Sequence, residues 1–140
     1  MTENALTGGC LCGGVRYEIT APLVVAGYCH CTRCQRRTGT AASVQARVAP
    51  GSFRVTSGID LVTEYDPADG GFLKAFCSAC GSALYSRHPT DADAVSVRLG
   101  TFDSDPGVEP AYHQFVAYAA SWEAIPDDGL PRYPERRPIA

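Results

Sequence analysis

The absences in this chain narrow its possibilities first. No apolar run approaches the ~20 residues that a membrane-spanning helix needs. The opening residues, MTENALTGG, carry neither a basic start nor an apolar stretch, so no signal peptide is expected. Cationic side chains are not in excess: 12 Lys and Arg stand against 15 Asp and Glu, for a net charge of -3 and a pI near 5.5. Binding to nucleic acid phosphates draws largely on counterions released by clustered Lys and Arg. Neither a nucleic acid nor a membrane is therefore expected as a partner, and the expected address is the cytoplasm. No internal repeat, low-complexity tract or linker divides the 140 residues. They read as one domain over 1–140, with a core from about 6 to 134 and a loose C-terminal tail, PERRPIA. A chain of this size buries roughly two thirds of its unfolded surface, enough for one modest core.

Long helical patterns are scarce as well. Gly 14 and Pro 10 together exceed the ~12% of average usage, which favours turns and short elements. Strand patterns dominate instead. Val15, Tyr17 and Ile19 alternate with Arg16, Glu18 and Thr20, and Val95, Val97 and Leu99 alternate with Ser96 and Arg98. Between Leu61–Tyr65 and Phe72–Phe76 lies DPADGG, a cluster that reads as a hairpin loop. Further strands are expected near Val24–Tyr28, Ala42–Val48, Ala83–Ser86 and His113–Tyr118, with helix only after Cys31 and near Ala119–Ala124. The expected class is mostly β, built from short antiparallel strands.

Cysteine, by contrast, is plentiful and none stands alone: CLC (Cys10, Cys12), CHCTRC (Cys29, Cys31, Cys34) and CSAC (Cys77, Cys80) hold all 7. Cytoplasmic thiols stay reduced, and an odd number pairs badly, so metal ligation is preferred over disulfides. Thiolates at such short spacing suit zinc, and Gly13 and Gly81 permit the left-handed backbone that such knuckles use. CLC and CSAC supply four thiolates, a closed structural site. CHCTRC supplies three and leaves one position open, the mark of a site that does chemistry. A different division joins Cys31 and Cys34 to Cys77 and Cys80, leaving Cys10, Cys12 and Cys29 as the open set. Other readings are thiols buried as small apolar residues, a second site closed by His88, His113 or an acid, and redox chemistry at Cys77 and Cys80. His30 lies between two ligands, where alternation aims its ring away from the metal.

GGCLCGGVRYE, YCHCTRCQRRTG, FCSACGSALY and the C-terminal YHQFV…SWEAIPDDGLPRYPE together resemble the glutathione-dependent formaldehyde-activating enzyme family, also called the GFA or CENP-V type, over nearly the whole chain. The resemblance implies a β-tent fold, a structural zinc on Cys10, Cys12, Cys77 and Cys80, and a catalytic zinc on Cys29, Cys31 and Cys34. It implies carbon-sulfur lyase chemistry on a small thiol adduct, S-hydroxymethylglutathione, formed from glutathione and formaldehyde. Two zinc ions are expected, the second labile. Glutathione carries two carboxylates, and Arg33, Arg36 and Arg37 within the second motif are candidates to meet them. Trp122 and Asp127 or Asp128 are expected to close the core and cap a turn. The alternative of another class is a zinc-stabilised binding module without catalysis.

Overall fold

The structure, a computed structural model, describes residues 5–138. Its strands are short, as the turn residues require. They are β1 (Leu6–Gly9), β2 (Arg16–Ile19), β3 (Val25–Cys29), β4 (Ser43–Arg47), β5 (Phe53–Ser57), β6 (Val62–Tyr65), β7 (Leu73–Cys77), β8 (Ala83–His88), β9 (Asp91–Arg98) and β10 (Pro110–Gln114). One α-helix, α1 (Thr32–Thr38), follows the second cysteine motif. The strands form two open sheets, one ordered β1-β2-β5 and the other β10-β3-β4-β9-β8-β7-β6. This is the mostly β, tent-like class expected. The DPADGG hairpin is present, with Val62 opposite Cys77 and Tyr65 opposite Lys74.

Period-two burial explains why the sheets pack. Val15, Tyr17 and Ile19 turn one face of the small sheet toward the large one, where Ala46, Val48, Ala75, Tyr85, Val95 and Val97 meet them in a shared core. Tyr17 is almost fully buried. Its hydroxyl pairs with Thr101 Oγ1 at 2.7 Å, and burial pushes its phenol up to about 12.

The opposite face of the same large-sheet strands is polar. Gln45 lies opposite Arg98 and Arg47 opposite Ser96 across β4 and β9, and Ser86 pairs with Ser96 across β8 and β9 and with Lys74 across β7 and β8. Alternation therefore places Gln45, Arg47, Ser96, Arg98, Ser86 and Lys74 together on the side away from the core.

Three expectations need correction. The pairing is not wholly antiparallel, because β10 joins the edge of β3 in parallel. No helix forms over Ala119–Ala124: Phe115 takes a left-handed conformation (φ 57), a 3-10 turn covers Val116–Tyr118, and the chain then runs on in turns without the packed apolar face a short helix needs. The tail is tied down as far as Arg137, since Glu135 O accepts from Phe115 N–H at 2.9 Å and Arg137 N–H donates to Gln114 Oε1 at 2.9 Å. The Arg137 guanidinium also lies 4.7 Å from the Tyr112 ring centroid. Gly27 makes room for that ring: a Cβ there would lie 2.2 Å from Tyr112 Cζ. Ile139 and Ala140, the end of PERRPIA, fall outside the described residues.

Candidate metal centres

The first cluster is built from two knuckles on different sheets. Cys10 and Cys12 sit in the turn after β1, where Gly13 N–H donates to Cys10 O at 3.1 Å, and Cys77 and Cys80 sit in the turn after β7, where Gly81 N–H donates to Cys77 O at 2.7 Å. Both glycines take positive φ, 78° and 80°, as such turns require. The knuckles are joined further by Leu11 N–H donating to Ser82 Oγ at 2.9 Å. The four sulfurs lie within 4.8 Å of one another, with Cys10–Cys12 at 3.5 Å and Cys12–Cys77 at 3.9 Å. A tetrahedral ion with bonds of ~2.3 Å would set sulfurs ~3.8 Å apart, so the two separations of 3.5 and 3.9 Å suit such an ion. The Ser82 hydroxyl and backbone N–H draw the Cys80 thiol down to about 5.

The second cluster is local. Cys29 ends β3, Cys31 is the N-cap residue of α1, and Cys34 lies in the helix's first turn, its N–H donating to Cys31 Sγ at 3.3 Å. Gly39 closes the helix in the left-handed region (φ 68). Among the described residues, the three sulfurs have no fourth Cys, His or carboxylate donor grouped with them. Their protons are shared unequally. Hydrogen bonds from Cys29 and Cys34 pull Cys31 down, whereas hydrogen bonding to Cys31 and Cys34, with burial, pushes Cys29 up. Both clusters could hold metal ions. The division of thiols is four and three, and the alternative joining Cys31 and Cys34 to Cys77 and Cys80 is not the one found.

The three thiols line a cavity of about 230 Å³ whose other walls come from the polar face of the large sheet. Arg98 is buried there at 9% exposure. Its Nη1 donates to Gln45 Oε1 at 2.6 Å, and its Nε has no partner. Burial lowers the pKa values of both Arg98 and Lys74, against the opposing pull of nearby thiols. No Asp or Glu is among the residues lining this cavity.

His30 points to a different cavity, of about 580 Å³, shared with Tyr28, His113, Trp122 and Asp128. His113 Nε2 lies 2.8 Å from Asp128 Oδ2, and His113 Nδ1 lies 2.9 Å from His30 Nε2. Asp128 Oδ2 as acceptor fixes the direction of donation along this pair: His113 Nε2–H donates outward and His30 Nε2–H donates to His113. Burial and the neighbouring His113 lower the His30 pKa, in keeping with a neutral ring. His113 is thus engaged with His30 and Asp128. His88 lies edge-on to Phe72 and bonds Thr90.

The family described as glutathione-dependent formaldehyde-activating enzyme matches residues 5–118. The chain belongs to this family. A Halomonas elongata protein, provisionally named as a glutathione-dependent formaldehyde-activating enzyme, is 25% identical over 126 residues, covering 86% of this chain and 80% of its own. The crystal structure of a Rhodobacter sphaeroides protein shares the fold, with a TM-score of 0.60 at 22% identity over 91% of this chain and 98% of that one.

In this formaldehyde-activating-family chain, sequence reasoning located the thiols but only part of the cavity. Of the three candidate arginines, only Arg33 lines the cavity, and it is paired with Asp69. Arg37 donates to Ala75 O at 3.1 Å, and Arg36 and Arg37 line, with Arg33 and Lys74, a second cavity beside Tyr65 and Pro67. Trp122 is 67% exposed and closes no core, while Asp128 bonds His113 as well as capping a turn through Leu130 N–H at 3.1 Å. Gln45, Arg47, Lys74, Arg98, Gln114 and Arg136 were not anticipated at the cavity. The alternation in β4 and β9 was a usable signal, since a strand whose outward positions read Gln-x-Arg or Ser-x-Arg need not face bulk solvent.

Proposed function

We propose that the chain is a zinc-dependent carbon-sulfur lyase acting on a small thiol adduct, S-hydroxymethylglutathione or a close relative. On this reading Cys10, Cys12, Cys77 and Cys80 hold a structural zinc, and Cys29, Cys31 and Cys34 hold a catalytic one. The observation that carries it is a set of three sulfurs, with no fourth donor grouped among the described residues, opening onto a cavity walled by cations. Family membership and the name of the Halomonas relative support the choice of glutathione and formaldehyde.

In the synthetic direction an S–H bond and the carbonyl π bond break, and a C–S bond and an O–H bond form, giving R–S–CH2–OH with no net loss of atoms or electrons. Zinc held by the three thiolates would lower the pKa of a thiol brought to it into the neutral range, while their charge weakens its pull on a carbonyl oxygen. The chain's own residues account for the remainder. Hydrogen bonds from the Cys29 and Cys34 thiols, with a smaller contribution from Cys34 N–H at the first turn of α1, pull the Cys31 thiol toward the ionised form that ligation requires. Gln35 Nε2 donates to His30 O at 2.8 Å and to Tyr118 O at 2.8 Å, fixing the thiol loop against the segment after β10. The reading needs a compartment that keeps thiols reduced, which places the protein in the cytoplasm. It also treats residues 1–140 as one catalytic domain.

Adduct formation from formaldehyde and glutathione, followed by NMR exchange spectroscopy on protein containing two zinc ions per chain, tests the proposal. Exchange well above the uncatalysed rate is expected. Exchange at the uncatalysed rate with both metals present would sink it, and ligand binding without exchange would favour a binding module.

A further inference from the structure

The cavity beside Cys29, Cys31 and Cys34 is unbalanced in charge, and this imbalance describes what enters it. Arg33, Arg47, Lys74, Arg98 and Arg136 all line it, and no carboxylate does. Arg33 is neutralised by Asp69. Arg47 has only neutral partners, the Ser96 hydroxyl at 3.2 Å and the Phe72 ring, whose centroid lies 5.6 Å from its Cζ. Arg98 is buried with one neutral partner, Gln45 Oε1, and an unpartnered Nε. Removing a guanidinium from water without an anion costs several kcal/mol, so a buried Arg lacking one is normally found where a negative group arrives. Three thiolates around a divalent ion carry one net negative charge. That offsets one of the four remaining cations and leaves the others without an anion.

The cradle is also rigid. Gln45 Oε1 accepts from Ser43 Oγ at 2.7 Å as well as from Arg98, which holds the guanidinium at the cavity floor. Arg136 comes from beyond residue 118, where the family match ends. It is held on both sides, by Phe115 N–H donating to Glu135 O and by Arg137 bonded to Gln114 and stacked on Tyr112. An exposed arginine flanked by such anchors stands at the cavity rim rather than sweeping solvent.

We propose that Arg98 on the floor and Arg136 on the rim form an acid-binding subsite that selects thiols bearing carboxylates, with Arg136 a specificity-determining residue supplied by the C-terminal segment. The inference rests on the lyase reading for the identity of the sulfur end. A planar guanidinium fork matches a carboxylate in two parallel hydrogen bonds, which an ester or a neutral thiol cannot reproduce.

The test uses a ligand without a thiol, so that binding reports the acid end alone. Zinc-loaded wild type is titrated calorimetrically with S-methylglutathione and with its diethyl ester. The free acid is expected to bind at least ~10-fold more tightly than the ester, and to weaken as salt rises. Arg136→Ala, an exposed position that spares the fold, is expected to lose most of that preference while leaving ester binding unchanged. Arg98→Met is expected to lose more, with its melting temperature read alongside. Equal binding of acid and ester, no binding of S-methylglutathione, or an unaltered preference in Arg136→Ala would each overturn the subsite. The lyase reading fails separately: acid-selective binding without catalysed exchange sinks the lyase and leaves the subsite standing. Catalysed exchange that is indifferent to carboxylates and to Arg136→Ala does the reverse.

Discussion

The two cysteine clusters use the same side chain to opposite ends. Cys12 and Cys77 are 65 residues apart in sequence, and their sulfurs meet only because two sheets have already packed. Cys29, Cys31 and Cys34 span one strand end and one helical turn. A metal on the first set is available only to the folded chain, so its binding energy adds to folding. A metal on the second set finds its ligands nearly assembled in the unfolded chain too, and contributes much less to stability. On the proposed reading, distance in sequence separates the structural site from the catalytic one before any chemistry is considered.

The largest effect expected from breaking this contrast is in the first cluster. Cys77→Ser, fully buried at 0% exposure, should cost several kcal/mol and lower Tm by ~10 °C or more, with loss of one zinc per chain by elemental analysis. A Tm within ~2 °C of wild type would show that the cluster is not a fold-holding metal site. In the metal-bound protein Cys77 and Cys80 should also resist alkylation until a chelator is added; rapid labelling would point to redox chemistry instead. Cys31→Ser should invert the pattern. Catalysed exchange should fall to the uncatalysed rate and zinc content from two per chain to one, with Tm changed by less than ~5 °C because serine still caps α1. Retained exchange with one zinc would move the chemistry elsewhere.

A third, intermediate effect belongs to the core that Cys10 and Cys77 of the first cluster share. Burial raises the Tyr17 phenol from 10 in the unfolded chain to about 12, so the folded state binds more protons between those values. Its contribution is complete below pH 10 and is lost as pH rises toward 12, roughly 2–3 kcal/mol in all. Tyr17→Phe should be less stable than wild type near pH 7, by ~1 kcal/mol for the lost bond to Thr101, and in denaturant melts the gap should close and then reverse as pH rises toward 12. A constant gap would remove the role given to burial. The smallest effect is expected at the cavity edge. The Arg33 guanidinium holds Asp69 down to about 2, yet both side chains are about half exposed, so Asp69→Asn should leave Tm within ~2 °C of wild type. A larger fall in Tm would make that pair part of the scaffold.

Much of this was legible in the sequence, for identifiable reasons. Spacing gathered the thiols into three groups, because one turn of chain brings CLC, CSAC or CHCTRC to a common point, and the ligand count favoured joining CLC to CSAC; only the packed sheets exclude the other division. The β2 and β9 alternations predicted their core faces, since period-two burial depends only on local geometry. The parallel seat of β10 did not show, because pairing between distant strands leaves no local pattern. The helix expected over Ala119–Ala124 failed because propensity without a surface to pack against is weak. Arginines beside the thiols in sequence were natural candidates for the cavity, yet Arg37 turns back to Ala75 while Arg98 and Arg136 arrive from far along the chain.

The strands β4 and β9 carry two messages on alternate positions. Ala46, Val48, Val95 and Val97 address the core, and Gln45, Arg47, Ser96 and Arg98 address the cavity. A slip of one residue in register would exchange the two sets, so the fold cannot tolerate it. Single substitutions are another matter. A change at Ser96 alters the cavity while leaving the inward face untouched, whereas a change at Gln45 would also strip the buried Arg98 guanidinium of its partner, so the cavity wall is not equally free at its polar positions.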